Sequence, residues 1–359
     1  MPSRHHGGWK YRDGGQHFLL SPKANGLTVA AVAAMDEDAA YEWFKHARWP
    51  STGGEPTCPK CGCIGATPRR LRRFRYRAKV CADEFSVTSG TILASRKLSF
   101  KTLLLSLALS VHSVKGKAAC QLKRELGVDY KTAFVLLHKL REAVAALRVA
   151  VKLDGVVEMD GMYVGGHVRP KNEKAKRVDR RLAENRTGKR MAVMVLRERA
   201  GDNMTLAAAV PGEQGDVAWH LTKNHVARTA SLRADQHPAY DELGGLNEIA
   251  RNNHERAFVV EADFSTNQAE SFFSRVRRGE TGIFHRMAGK YLDWYAADLA
   301  WREDKRRTDF RLHAEAVLKA ALGHPISRDM SGYWQRPRKS LAALVAWNPL
   351  RGMPVIAVG

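Results

Sequence analysis

The spacing of apolar residues changes character once along these 359 residues, near residue 152, and that change limits the fold more than any other feature. Between Ser99 and about Val151 the apolar positions recur at helical spacing. Ser99 is placed to cap a helix over 100–113, and a second helix over 117–126 stops at Gly127. Asp129 is placed to cap a third over 130–147, with Ala133, Leu136, Leu137, Leu140 and Val144 on one face. The last two helices, joined at Gly127-Val128, have helix-turn-helix proportions. Past 152, short apolar runs alternate with helical patterns. Strands are predicted over 156–164, 191–196, 204–210, 231–234 and 257–260, and helices over 215–228, from Asn267, and over 287–305 as a long amphipathic element. Such alternation predicts an α/β unit.

The rest of the chain is less regular. Residues 1–35 read as a loose arm, and 36–47 as a short helix that begins at Asp36. A loop over 50–57 precedes the knuckle Cys58-Pro-Lys-Cys61-Gly-Cys63, a basic run and a short strand from Glu84. One more helix is expected after 311, and then an interrupted tail. The expected divisions are an arm with its helix (1–50), a cysteine-bearing module (51–95), a helical region (96–150), the α/β domain (151–305) and a tail (306–359).

Charge narrows the partners. Lys and Arg number 59 against 37 Asp and Glu, a formal net charge of +22, and a protein so basic is expected to bind a polyanion, nucleic acid first. Seven basic residues and no acid lie between Arg69 and Lys79: Arg69, Arg70, Arg72, Arg73, Arg75, Arg77 and Lys79, with Phe74 and Tyr76 interleaved. That alternation fits a ribbon strand with one basic face, able to neutralise phosphates without reading sequence. Residues 167–190 hold ten Lys or Arg against three acids and read as a solvated loop. Tyr130 and Lys131 stand at the front of the candidate recognition helix. The longest apolar run, 103–111, is too short to span a bilayer, so no membrane is expected. The N-terminus lacks a signal-peptide core, and the clustered cysteines do not form a secreted disulfide frame, so a reducing cytoplasm is the expected compartment. Cys120 is expected to be buried in packing.

Three acids sit where phosphodiester chemistry can use them. Asp160 interrupts an apolar strand, where an unpaired acid is costly. Asp235 follows a strand, and Glu270 lies in the first turn of a helix whose Ala269, Phe272, Phe273 and Val276 form the buried stripe. Carboxylates from three separate elements can hold two divalent ions about 3.5–4 Å apart for in-line displacement, and Mg²⁺ suits such ligands. Each acid also has a plain reading. Glu158 and Asp154 rival Asp160, Asp235 can serve a turn, and Glu270 can offset the helix dipole.

The order of these segments resembles the DDE transposases of bacterial insertion sequences, in the type that sets a zinc ribbon ahead of a retroviral-integrase-like domain. The matching segments are Cys58-Pro-Lys-Cys61-Gly, 85–92, Met159-Asp-Gly-Met-Tyr-Val-Gly-Gly166, Ala234-Asp-Gln-His-Pro-Ala-Tyr240 and Thr266-Asn-Gln-Ala-Glu270-Ser-Phe-Phe, leading to Arg277-Arg-Gly279 and Gly282-Ile-Phe-His285. Glu270 follows Asp235 by 35 positions. The resemblance implies an RNase H-like catalytic domain, a mixed five-stranded sheet with flanking helices, behind a small zinc-ribbon-like module and a helix-turn-helix-like region. It implies Asp160, Asp235 and Glu270 as catalytic ligands of two Mg²⁺ or Mn²⁺ ions. It also implies Mg²⁺-dependent cleavage of transposon ends and strand transfer into target DNA, by a homo-oligomer in the bacterial cytoplasm, associated with the nucleoid. Arg277 and Arg278 are implied DNA contacts. His254 and His285 match family positions, either as DNA contacts or as structural histidines.

Three departures stand out, the first being Arg277 where the family often has Lys, a change that keeps the charge but not its point-like geometry. Gly161 replaces an acid that often follows the first Asp of the family. The second cysteine pair of the ribbon is incomplete, with Ala78 at an expected ligand position, so Cys58, Cys61 and Cys81 remain and Cys63 is the candidate fourth ligand. The alternatives are a bound zinc or a zinc-free module held by packing. The competing functional readings are a non-catalytic DNA-binding regulator and an RNase H-like nuclease that does not join strands.

Overall fold

The computed structural model describes residues 18–21, 24, 26–71, 73–165, 173–176, 178, 191–199, 203–252, 266–287 and 289–333. Two short helices lead in. α1 (Val29–Ala34) lies within the stretch expected to be a loose arm, because Thr28 caps it and Val32 is buried. α2 (Glu37–Arg48) is capped by Asp36, with acids in its first turn and basic residues in its last, as the helix dipole favours. Glu37 then receives the backbone N–H groups of Phe100 and Lys101 at 2.7 and 3.0 Å, fixing α2 to the start of the next helix.

The cysteine module carries three two-residue strands, β1 (Thr67–Pro68), β2 (Tyr76–Arg77) and β3 (Glu84–Phe85), paired antiparallel in that order. The ribbon strand expected over 69–79 is thus reduced to two residues. Phe74 turns the chain through the left-handed region at φ 64°, and its ring packs on Tyr41 and Phe100. α3 (Phe100–Val111), α4 (Ala119–Leu126) and α5 (Tyr130–Arg148) follow the expected pattern. Gly127 ends α4 with φ 65°, and all five residues of the expected α5 stripe are buried. Cys120 is exposed, contrary to expectation, because α4 is only two turns long and buries Leu122 alone.

The α/β part has the sheet order β6-β5-β4-β7-β8. β4 (Val156–Val164) lies at the centre, antiparallel to β5 (Met191–Glu198) and parallel to β7 (Ser231–Asp235). β6 (Thr205–Val210) and β8 (Glu248–Asn252) close the edges. This mixed five-stranded sheet with helices on both faces is the RNase H-like arrangement. The fifth strand lies at 248–252; the strand expected over 257–260 falls outside the described residues, as do most of 167–190, Arg72, His254 and the tail beyond 333.

Side chains alternate across β4. Val157 and Met159 join a core with α6 (Gly215–His225), while Met162 and Val164 join one with α7 (Asn267–Gly279) and α8 (Leu292–Asp304). α8 corrects the amphipathic helix expected over 287–305. It starts at Leu292, and eleven of its thirteen residues are buried. Its acids pair with buried arginines: Asp298 with Arg302 one turn on in the same helix at 3.0 Å, Glu303 with Arg197 of β5 at 3.0 Å and Asp304 with Arg148 of α5 at 2.6 Å. Its polar residues serve ion pairs inside the protein and not a solvated face. α9 (Phe310–Gly323) folds back onto a core shared with α2, α3, α5 and the cysteine module. No helix among the described residues is long and apolar enough to cross a membrane.

Candidate active site and thiol cluster

Sheet topology brings the strand carboxylates together. β4 and β7 run parallel with Met159 opposite Ala234, so Asp160 and Asp235 are the next residues along two adjacent strands. Asp160 is half-buried and accepts the Gly161 N–H at 2.7 Å. Burial, aided by the negative charges of Asp235, Glu213 and Glu270, pushes its carboxyl up to about 7 against the pull of that N–H group. Asp235 also serves the turn that the sequence suggested, since its Oδ1 accepts the His237 N–H at 2.9 Å. Glu270 stands exposed in the first turn of α7, near enough for its charge to reach Asp160.

The rival acids have other work. Asp154 accepts the Thr229 hydroxyl at 3.0 Å. Glu158 is fully buried, pairs with Arg199 at 2.6 Å and accepts the Ala269 N–H at 2.8 Å. That second bond ties β4 to the α7 residue just before Glu270. Glu158 therefore fixes the helix that presents Glu270.

Glu213, in the turn between β6 and α6, was missed by sequence reasoning. It receives the hydroxyl of fully buried Tyr240, and a Cβ added at Gly161 would lie 2.5 Å from its carboxylate. The available signal was Gly161 itself, because a glycine within a strand often marks a close approach.

The thiols form the tighter group. Ligand atoms of Cys58, Cys61 and Cys81 all lie within 4.8 Å of one another, and the Cys58 and Cys81 sulfurs are 3.6 Å apart. Two equivalent knuckles build the cluster. The N–H of Gly62 bonds to Cys58 O and that of Cys58 to Cys63 O; the N–H of Ala82 bonds to Ala78 O and that of Ala78 to Asp83 O. Gly62 and Ala82 both adopt positive φ, 70° and 57°. Ala78 therefore stands where Cys58 stands in the first knuckle. Backbone N–H groups of Lys60 and Cys61 serve the Cys58 sulfur, whereas those of Lys79 and Val80 serve the sulfur of Cys63, which also touches that of Cys61. Cys63 thus takes backbone bonds from the knuckle that has lost its own first thiol.

The candidate DNA-binding residues among those described are exposed. Tyr76 and Ala78 point inward while Arg75, Arg77 and Lys79 point out. Arg69 and Arg73 are exposed too but partly offset, by Glu84 at 3.0 Å and Asp38 at 2.6 Å, and Arg70 is exposed beside them. Tyr130 and Lys131 are exposed at the start of α5. Arg277 and Arg278 are exposed in the last turn of α7, on the same helix as Glu270. His285 is exposed at φ 56°.

Comparison with known proteins gives the chain a family. Residues 152–304 match the ISXO2-like transposase domain, and residues 35–84 match the transposase zinc-ribbon domain. Among solved structures, a pre-cleavage Mos1 transpososome is 13% identical at TM-score 0.23, covering 63% of this chain and 80% of that one. The Mos1 strand transfer complex is 14% identical at TM-score 0.23, covering 62% and 79%. No curated protein matches the chain. With both modules matched in the order its sequence sets them, the chain belongs to the DDE transposases of insertion sequences that carry an N-terminal zinc ribbon.

Proposed function

We propose that this transposase hydrolyses the phosphodiester bond at each end of its element and then joins the freed 3′-hydroxyl to target DNA, with Asp160, Asp235 and Glu270 as the catalytic carboxylates. The observation that carries this reading is the pairing of β4 with β7: it sets Asp160 beside Asp235, and burial, aided by the charges of Asp235, Glu213 and Glu270, holds the Asp160 carboxyl near 7. An all-oxygen, anionic donor set of this kind fits Mg²⁺ or Mn²⁺. Two such ions, when bound, supply an activated attacking oxygen and a clamp on the leaving oxygen. The protein's own part is positioning. The Gly161 N–H orients Asp160, the His237 N–H orients Asp235, and Glu158 anchors the turn that carries Glu270.

In this reading Cys58, Cys61, Cys81 and Cys63 hold a structural zinc, the last replacing the thiol missing at residue 78. Zinc fits the donor set, since three sulfurs already lie within mutual reach and backbone N–H groups serve two of the four. Arg69, Arg70, Arg72, Arg73, Arg75, Arg77 and Lys79 supply a salt-sensitive grip on phosphates. Tyr130 and Lys131 face the element ends, while Arg277 and Arg278 contact DNA beside the carboxylates. Two ends processed together call for a homo-oligomer, working on nucleoid DNA in the bacterial cytoplasm.

The test is nicking of a duplex that carries an element end, with and without Mg²⁺. Metal-dependent nicks that vanish in Asp160→Asn, Asp235→Asn and Glu270→Gln while DNA binding persists support the proposal. No nicking by the unaltered chain leaves a DNA-binding regulator, a reading that Ala78 favours. Nicking without strand joining leaves a nuclease.

A further inference from the structure

Glu213 lies outside the three carboxylates that carry the proposed chemistry, yet it is held on two sides. The Tyr240 hydroxyl, from a side chain sealed in the core on the α6 face, donates to its Oε1. On the other side, its carboxylate sits over the Cα of Gly161. A Cβ there would lie 2.5 Å from both Cδ and Oε1, so any side chain at 161 would displace it. Gly161 follows Asp160 on β4, and the Glu213 charge acts on Asp160 together with those of Asp235 and Glu270. Adding a fourth anion to a half-buried cluster is unfavourable by itself. A purely structural link between this turn and Tyr240 needs only a hydrogen-bond acceptor, which a neutral Gln provides. The fold instead holds a carboxyl side chain there with a buried hydroxyl and an empty position on the neighbouring strand.

The geometry points to Glu213 as a fourth carboxylate of the metal-binding cluster, with Tyr240 as its positioning residue. This rests on the reading that Asp160, Asp235 and Glu270 hold a divalent cation. Glu213 adds negative charge on the β6–α6 side of the cluster, across β4 from the helix that carries Glu270. Gly161 makes room for it, so the residue after Asp160 matters for the side chain it lacks.

Mn²⁺ titration of the full chain, followed by the spectroscopic signal of free Mn²⁺, tests this without relying on cleavage. Glu213→Gln keeps the size and the acceptor for Tyr240 but removes the charge. It should weaken Mn²⁺ binding roughly tenfold or more, with the unfolding temperature before Mn²⁺ addition unchanged or raised. Tyr240→Phe should weaken binding less, because the charge remains but is less well aimed. Glu213→Asp, which keeps the charge and shortens the reach to Tyr240, should bind Mn²⁺ better than Glu213→Gln does. The inference is overturned if Glu213→Gln binds Mn²⁺ like the unaltered chain while Asp160→Asn does not, or if the Gln variant outbinds the Asp variant. Should Asp160→Asn also bind Mn²⁺ normally, it is the underlying reading of the cluster that fails.

Discussion

The thiol cluster and the carboxylate cluster are both proposed metal sites, and they are assembled in opposite ways. The thiols come from two short knuckles of one small module, with sulfurs already served by backbone N–H groups. They sit against the apolar core that also receives α2, α3 and α9. The carboxylates come from β4, β7, α7 and the β6–α6 turn, and the charges of the other three act on Asp160. Among the described residues, the thiols are the trio drawn within 4.8 Å of each other, and the carboxylates are not. The first arrangement is made locally and bears on stability. The second depends on the whole sheet and concentrates charge where a reaction needs it, at a cost to the fold.

The contrast breaks most visibly if one substitution in each cluster has the same effect. Asp160→Asn, Asp235→Asn and Glu270→Gln should each lower end cleavage at least about a thousandfold, equivalent to about 4 kcal/mol of barrier. None should lower the unfolding temperature measured without added Mg²⁺. Cys58→Ser should do the reverse. Cys58 is only 2% exposed, so the variant should lose zinc, fall at least about 10 °C in unfolding temperature, and lose cleavage only through unfolding. Calorimetry with zinc analysis and a cleavage assay on the same preparations decides. An Asp160→Asn variant that unfolds as readily as Cys58→Ser would erase the distinction.

A smaller effect comes from pH. Burial and its acidic neighbours hold Asp160 at about 7 in the metal-free fold, above the ordinary 3.8 of an unfolded chain. Between those values the native state keeps a proton that the unfolded state has lost. Stability without added Mg²⁺ should therefore fall as pH rises from about 4 to about 7 and contribute no further slope above. Asp160→Asn should remove that component, seen as a flatter dependence of unfolding temperature on pH. His313, buried and held near 3 by desolvation, contributes the opposite slope: its share of stability is lost as pH falls below about 6.5. The comparison must therefore be made against Asp160→Asn and not against a theoretical curve. Gly161→Ala is expected to cost about 1–3 kcal/mol, because its Cβ meets the Glu213 carboxylate. Denaturant unfolding measures it, and Glu213→Gln combined with it should not add the two effects.

What the sequence disclosed follows the range of the interactions. Caps and stripes are local, so Asp36, Ser99, Gly127 and the α5 face were legible, as was the span of β4. Asp160, Asp235 and Glu270 were legible as a set only through their order and the family resemblance. What separates Asp160 from Glu158 is which partners each meets, Arg199 and the Ala269 N–H in one case and three acids in the other. Those partners lie up to 111 positions away in the chain. Glu213 was illegible for the same reason, since its meaning lies in Gly161 and Tyr240. α8 misled because helical periodicity marks polar positions without saying whether water or a buried arginine meets them.

The smallest predicted effect tests the thiol side most finely. If Cys63 stands in for a ligand at residue 78, Cys63→Ser should weaken zinc binding and Ala78→Cys should restore it. Ala78 is buried at the knuckle position equivalent to Cys58, and the Lys79 and Val80 N–H groups lie beside it to serve a thiol there. Ala78→Cys alone should leave zinc at one equivalent, because four sulfurs already complete a tetrahedral set. The double variant should regain the zinc content and unfolding temperature of the unaltered chain. A Cys63→Ser protein that keeps its zinc against a competing chelator would show that three thiols suffice. A double variant that stays zinc-poor would mean that the two knuckles, though alike in backbone, are not interchangeable as ligand donors.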